Sequence, residues 1–292
     1  MVVHFILRLL SAVRYHLHTA VLFTWTDYKT IFFPITVFAC ATAPVRSFSD
    51  LLQCSVWVWF HQLLCNVSNQ ARSCEEDKAN HPWRPLPSGR ISESQAVVLR
   101  WATVVFCLFL SSIYDQDLVL TTLGLVAATI TYDELGAASN VVGKALCTAV
   151  GYAAFEVGAT TIIGINHAMD FVSVTAVSIS VILIFTVIQA QDFPDVEGDK
   201  AVGRMTFPIY APELSRLLTF LAIAAWSVFL SWFWDVGPIS TGVFIGFGLH
   251  VGLRYYCLRT LGADKTSYLI FNVWLMTAHV LPLHARMSVL AL

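Results

Sequence analysis

Residues 171–199 read FVSVTAVSISVILIFTVIQAQDFPDVEGD, twenty-one residues without a charge followed by four carboxylates in eight positions. An uncharged stretch of that length crosses a hydrocarbon core of about 30 Å as a helix. It lacks the strict alternation of a barrel strand, and only helices or closed barrels satisfy their backbone in lipid. Similar apolar runs recur at 29–45, 50–72, 93–114, 117–133, 141–164, 168–191, 212–234, 238–258 and 266–288. The expected fold is therefore all-α, with about nine transmembrane helices around a central cavity. One transmembrane domain over 1–292 is expected, opening with an amphipathic segment at 1–27 whose helix, 4–25, lies in the interface.

Composition agrees with a bilayer protein. Only 12% of the 292 residues are charged, where soluble domains run near 25%, and mean hydropathy is +0.69. A net charge of -2 and the lack of a basic stripe argue against nucleic acid as a partner, and no obligatory protein partner is evident. Seven cysteines, none in a CxxC pair, read as small buried hydrophobes rather than a disulfide or zinc framework.

In a chain with nineteen Asp and Glu residues, seven fall in two short windows at the ends of apolar runs. The first, 69–77, reads NQARSCEED; the second is 192–199. With nine spans, fifteen of the seventeen Lys and Arg residues fall on the N-terminal side, Arg46 and Arg286 excepted. The positive-inside rule makes that side cytosolic. Both windows follow even-numbered spans and share it. The expected location is a multi-pass protein of the endoplasmic reticulum membrane, with the N-terminus and the active-site loops in the cytosol.

Asn69, Ser73 and Asp77 are spaced i, i+4, i+8, one stripe of a helix, and Glu76 stands one position away and would replace or assist Asp77. Asp192, Asp195 and Asp199 are spaced i, i+3, i+7 and also share a face. Pro194 should kink or end the sixth span, and Gly198 should permit the exit. Amide, hydroxyl and carboxylate oxygens suit Mg²⁺. The alternative for either window alone is a polar cap at the interface. Lys29, Lys78, Arg84, Arg90, Lys144, Lys200 and Arg204 fall on the same edge, available to a diphosphate or to lipid headgroups. Within the spans, Glu156 should point inward, protonated or hydrogen-bonded to His61 or Tyr152. Trp57, Trp59, Phe60 and His61 lie below Asn69, where aromatic faces would line a pocket and stabilise a cation.

The run Asn69-Gln70-x-x-Ser73-x-x-Glu76-Asp77-x-x-Asn80-x-Pro82-Trp83-Arg84-Pro85-x-Pro87-Ser88-Gly89 resembles the first signature of the UbiA superfamily of intramembrane prenyltransferases. Asp192-x-x-Asp195-x-Glu197-Gly198-Asp199-x-x-x-Gly203 resembles the second. The resemblance implies a UbiA-like bundle open to lipid, two Mg²⁺ held by the two motifs, and a polyprenyl diphosphate that ionises to an allylic carbocation. Where the family has acids, this chain has Gln70 and Ser73. Gln191 replaces a lysine, and Tyr132-Asp133-Glu134-Leu135 lacks a basic residue that many members place there. These departures make the chain similar to the fungal UbiA-type terpene cyclases. They imply Mg²⁺-dependent cyclisation of a C15 or C20 prenyl diphosphate, geranylgeranyl diphosphate favoured. The catalytic and metal set would be Asn69, Ser73, Glu76, Asp77, Asp192, Asp195 and Asp199. Lys29, Lys78, Arg84, Lys144, Lys200 and Arg204 would bind diphosphate, with Trp57, His61, Tyr152 and Glu156 at the cavity. Prenyl transfer to a small acceptor is the alternative, and a cation transporter the non-enzyme one.

Overall fold

The computed structural model describes residues 1–291, the side chains of residues 2, 3, 76, 79 and 80 excepted. Among the described residues there is helix, turn and coil but no strand. Fourteen α-helices follow one another: α1 Val2–Thr24, α2 Phe33–Thr42, α3 Phe48–Arg72, α4 Cys74–Asn80, α5 Glu93–Ser112, α6 Gln116–Asp133 and α7 Val141–Ile163, then α8 Phe171–Val187, α9 Val196–Ala201, α10 Phe207–Tyr210, α11 Pro212–Phe233, α12 Pro238–Cys257, α13 Leu261–Val280 and α14 Pro282–Met287.

Local chemistry marks many of the starts. Ser47, Asp115, Asn140, Asp170 and Thr260 each accept a backbone N–H of the first turn, and Ser92 with Gln95 forms a reciprocal capping box. The run expected at 29–45 is broken: a wide π turn over Tyr28–Phe32 precedes α2. Pro34, in the first turn of α2, has no N–H to give and would crowd the carbonyl four residues back, which the wider turn relieves.

Five helices are long and apolar enough to cross a membrane: Glu93–Ser112, Val141–Ile163, Phe171–Ala201, Pro212–Phe233 and Leu261–Met287. Helices α3, α6 and α12 are as long but carry more polar residues. Helix α7 lies at the centre, packed on α2, α3, α6 and α8. Its Gly158 takes the Trp57 indole of α3 so closely that a Cβ there would sit 2.2 Å from the ring. Helix α1 leaves residues 4–18 exposed and buries only its far end, where Phe23 packs with Leu63, Val67, Leu86 and Ala96. The seven cysteines are free; Cys54 and Cys107 are buried and Cys257 is exposed.

Candidate active site

The first window does not run along one helix. Helix α3 ends at Arg72 and α4 restarts at Cys74, with Ser73 between them in a non-helical conformation. Asn69, on the last turn of α3, lines a cavity of about 670 Å³. Ser73 is turned back, its hydroxyl donating to the Asn69 carbonyl at 3.0 Å. Asp77 is 2% exposed and accepts from Arg84 Nη1 at 2.6 Å, while Arg84 Nη2 donates to Thr26 at 3.1 Å. Ser73 and Asp77 stand behind the cavity wall rather than in it. The Glu76 side chain lies outside the described residues.

The second window follows α8 as two 3₁₀ turns, 188–191 and 193–195, before α9. Pro194 sits in the first turn of the second, in keeping with its missing N–H. The left-handed exit comes at Gly203 (φ +73°) rather than at Gly198, which is buried inside α9. Asp195 and Asp199 line the same cavity as Asn69, so the two windows meet there. Lys144 of α7 bridges this window, with Nζ 2.7 Å from Asp192 and 3.6 Å from Asp199. Arg204 stands 3.5 Å from Asp199. Asp192 itself borders a smaller cavity of about 220 Å³ on the other side of Lys144.

The second window is held from below. Phe193 is buried against Tyr255, ring centroids 5.2 Å apart, with the Arg216 guanidinium 4.6 Å from its ring centre. Arg216 is locked by two bonds to Asp264, at 3.0 and 2.9 Å, and Tyr255 donates to the Ala190 carbonyl at 3.1 Å. Helices α11, α12 and α13 thereby fix where the aspartates stand.

Of the expected basic residues, Lys29, Arg84, Lys144 and Arg204 border the cavity. Lys78 is exposed and pairs with Glu75 at 2.6 Å, and Lys200 is exposed and outside the wall. Arg90 is also elsewhere: it ties the 81–92 segment to α1, through Thr19 at 2.6 Å and the Tyr15 carbonyl at 2.9 Å. Tyr15 returns a bond to the Arg90 carbonyl at 2.6 Å.

Of the residues expected to line the pocket, Tyr152 does so, donating to the Thr30 carbonyl at 2.6 Å. Trp57 and His61 lie behind it. Their rings stack at 3.7 Å, and a buried chain of Ser111, Thr122 and the His61 imidazole joins α3, α5 and α6. Glu156 also misses the cavity, and its partners are neither His61 nor Tyr152. Ser180 donates to it at 2.5 Å, and His279 lies 3.6 Å away.

The cavity also holds groups that spacing did not single out: Asp27, His81, Asp133, Lys265 and Tyr268. Asp27 and Lys265 stand near helix ends, with no repeating pattern to mark them. His81, just past α4, has its pKa lowered to about 4, first by burial and then by Arg84, Lys265 and Lys29 nearby. Lys29 Nζ lies 5.2 Å from the Tyr268 ring centre. The cavity thus has two cationic groups, Lys144 with Arg204 and Lys29 with Arg84 and Lys265, the neutral His81 standing beside the second. Leu125, Ala128 and Phe155 supply apolar wall.

A metal would meet oxygens here: the Asn69 amide and the Asp133, Asp195 and Asp199 carboxylates. Asp133 Oδ2 is buried and makes no hydrogen bond of good geometry. Among the described residues no three His, Cys, Asp or Glu side chains gather closely enough to hold an ion unaided. Mg²⁺ asks for less, since it keeps waters and is bound through one or two carboxylates together with substrate phosphates. The residues fit that ion.

Over residues 31–276 the chain matches the profile of the UbiA prenyltransferase family. It is 29% identical over 272 residues to the fumagillin beta-trans-bergamotene synthase of Aspergillus fumigatus, covering 93% of each chain. It is 30% identical over 266 residues to the diterpene cyclase eriG of Hericium erinaceus, covering 86% of this chain and 82% of that one. A solved UbiA homolog from Archaeoglobus fulgidus, bound to GPP and Mg²⁺, superposes with a TM-score of 0.68 at 16% identity, covering 93% of this chain and all of that one. At that identity the likeness is one of fold.

Proposed function

Because the chain belongs to the UbiA prenyltransferase family, we propose that it is a Mg²⁺-dependent membrane terpene cyclase that ionises and folds a single prenyl diphosphate, releasing diphosphate. Two relatives matched over more than four fifths of their length are named as a terpene synthase and a diterpene cyclase, while a third, 26% identical, is named as a polyprenyl transferase. The observation that carries the reading is the meeting of Asn69 with Asp195 and Asp199 in one cavity wall, beside Lys144 and Arg204. We place nine spans in the membrane, with the N-terminus and this end of the cavity in the cytosol of the endoplasmic reticulum, on the charge distribution.

Asn69, Asp195 and Asp199 would hold Mg²⁺, with Asp192 behind Lys144, and Ser73 and Asp77 as reserve behind Asn69. When bound, the ion neutralises charge that grows on the diphosphate as its C–O bond ionises. Lys144 and Arg204 offer fixed N–H donors at that end, aimed where charge develops and costing no reorganisation. Lys29 and Arg84 do so from the mouth, while the exposed Lys78 and Lys200 stand too far out for this role. Deeper in, the Phe155, Tyr152 and Tyr268 rings present π faces to a carbocation and apolar bulk that excludes water. A C20 substrate is favoured, supported by the relative named a diterpene cyclase.

A second reading has its own support. Lys265 adds a cation to Lys29 and Arg84 at the mouth, and the neutral His81 imidazole stands beside them, a setting that suits an anionic acceptor and hence prenyl transfer. Membranes containing the protein, given Mg²⁺ and geranylgeranyl or farnesyl diphosphate alone, should yield a cyclic hydrocarbon by mass spectrometry. Asp195→Ala should lower its yield by about two orders of magnitude or more. Product that appears only after an acceptor is added would replace cyclisation with transfer.

A further inference from the structure

Asp133 closes α6, outside both acidic windows, yet faces the cavity beside Asn69. Asn69 Nδ2 donates to Asp133 Oδ1 at 3.0 Å. A carboxylate only accepts, so it decides which end of the amide it meets, and Asn69 Oδ1 is left as the outward oxygen. Asp133 Oδ2 is buried and makes no hydrogen bond of good geometry, although the Ser68 hydroxyl lies close to the carboxyl. An ionised oxygen left so bears a desolvation cost that a bound cation would relieve. The nearby arginines serve the next residue instead, Arg100 pairing with Glu134 and Arg72 standing 3.5 Å from it.

Among the described side chains of the first window, meanwhile, Asn69 alone lines the cavity. Ser73 bonds back to the Asn69 carbonyl and Asp77 holds Arg84. The side of the cavity that faces Asp195 and Asp199 would therefore be short of negative charge without Asp133.

We propose that Asp133 is a metal ligand, forming with Asn69 the first metal set and supplying the carboxylate that its window has exchanged for Ser73. The pair offers one amide and one carboxylate oxygen, neither used in their mutual bond. Two such ligands suffice for Mg²⁺ when substrate phosphates complete the shell. The same bond sets the Asn69 amide, so Asp133 acts on the ion directly and by orienting its neighbour. This inference rests on the metal-dependent reading above.

The test uses the full chain in lipid nanodiscs, with Mn²⁺ as a paramagnetic probe and inorganic diphosphate present. Asp133→Asn keeps size and polarity but removes the charge. It should raise the Mn²⁺ concentration for half-saturation at least tenfold, and the Mg²⁺ concentration for half-maximal turnover likewise. In the wild type, Mn²⁺ with diphosphate should shield Asp133 from carbodiimide labelling read by mass spectrometry, a measurement that needs no variant. Asp133→Asn with wild-type Mn²⁺ affinity, even at a reduced rate, would leave Asp133 as a support for Asn69 and overturn the proposal. So would unprotected labelling. A wild type that binds no Mn²⁺ but still turns over would instead bring down the metal-dependent reading itself.

Discussion

His81 shows how one side chain reports its surroundings. Burial, then Arg84, Lys265 and Lys29, hold its pKa near 4 in the folded chain, against about 6.5 when unfolded. Between those values the unfolded state binds more protons, so stability is complete above pH 6.5 and declines as pH falls towards 4. His81→Gln removes that share, and its melting temperature should fall less than that of the wild type over this range. Parallel curves would refute the placement of His81 among those cations. Asn69, Asp195 and Asp199 were legible because their spacing repeats at helical intervals beside apolar runs. Asp27, Lys265 and Asp133 were not, because each stands near the end of an element with no helical repeat of ligand residues to mark it. Only the packing of α1, α13 and α6 around one space gives them meaning. The same holds for Trp57 and Glu156: the sequence says that they lie at membrane depth, but not whether they face a cavity or a neighbouring helix.

At the scale of elements, helix positions followed from apolar length and from caps such as Ser47, Asn140 and Asp170, all visible as residue types. The break at Ser73 and the π turn before Pro34 were not visible as such. A stripe of i, i+4, i+8 is equally compatible with one helix or two, and Pro34 sits inside an otherwise apolar run. The contact of α3 with α7 rests on the missing side chain of Gly158. In Gly158→Ala the new methyl meets the Trp57 ring at 2.2 Å, and Trp57 is held by its bond to Ser111 at 2.9 Å. The ring has nowhere to turn without breaking that bond. We expect a loss of about 1–3 kcal/mol from overpacking, read as a lower unfolding temperature in detergent. An unchanged temperature would mean that the helices slide apart freely.

Across the whole molecule, charge asymmetry predicts that an N-terminal tag is digested by protease added to sealed, right-side-out microsomes while a C-terminal tag is protected. Protection of both, or digestion of both, would contradict an odd number of spans. That the chain is helical and belongs in a bilayer was plain from composition. Which runs cross was less so, since α3 and α6 trade apolar residues for polar ones that reach inward, such as Gln62, Asn69 and Thr122. One further arrangement links the surface to the site. The 81–92 segment, which carries His81 and Arg84, is pinned to the N-terminal helix at Tyr15 and Thr19 and to Thr26 beyond it. Fixing the backbone of a free segment costs about 1–2 kcal/mol of entropy per residue. Here that disorder is already lost on folding, so a molecule entering the cavity finds its doorway set and keeps the full strength of the contacts it makes there.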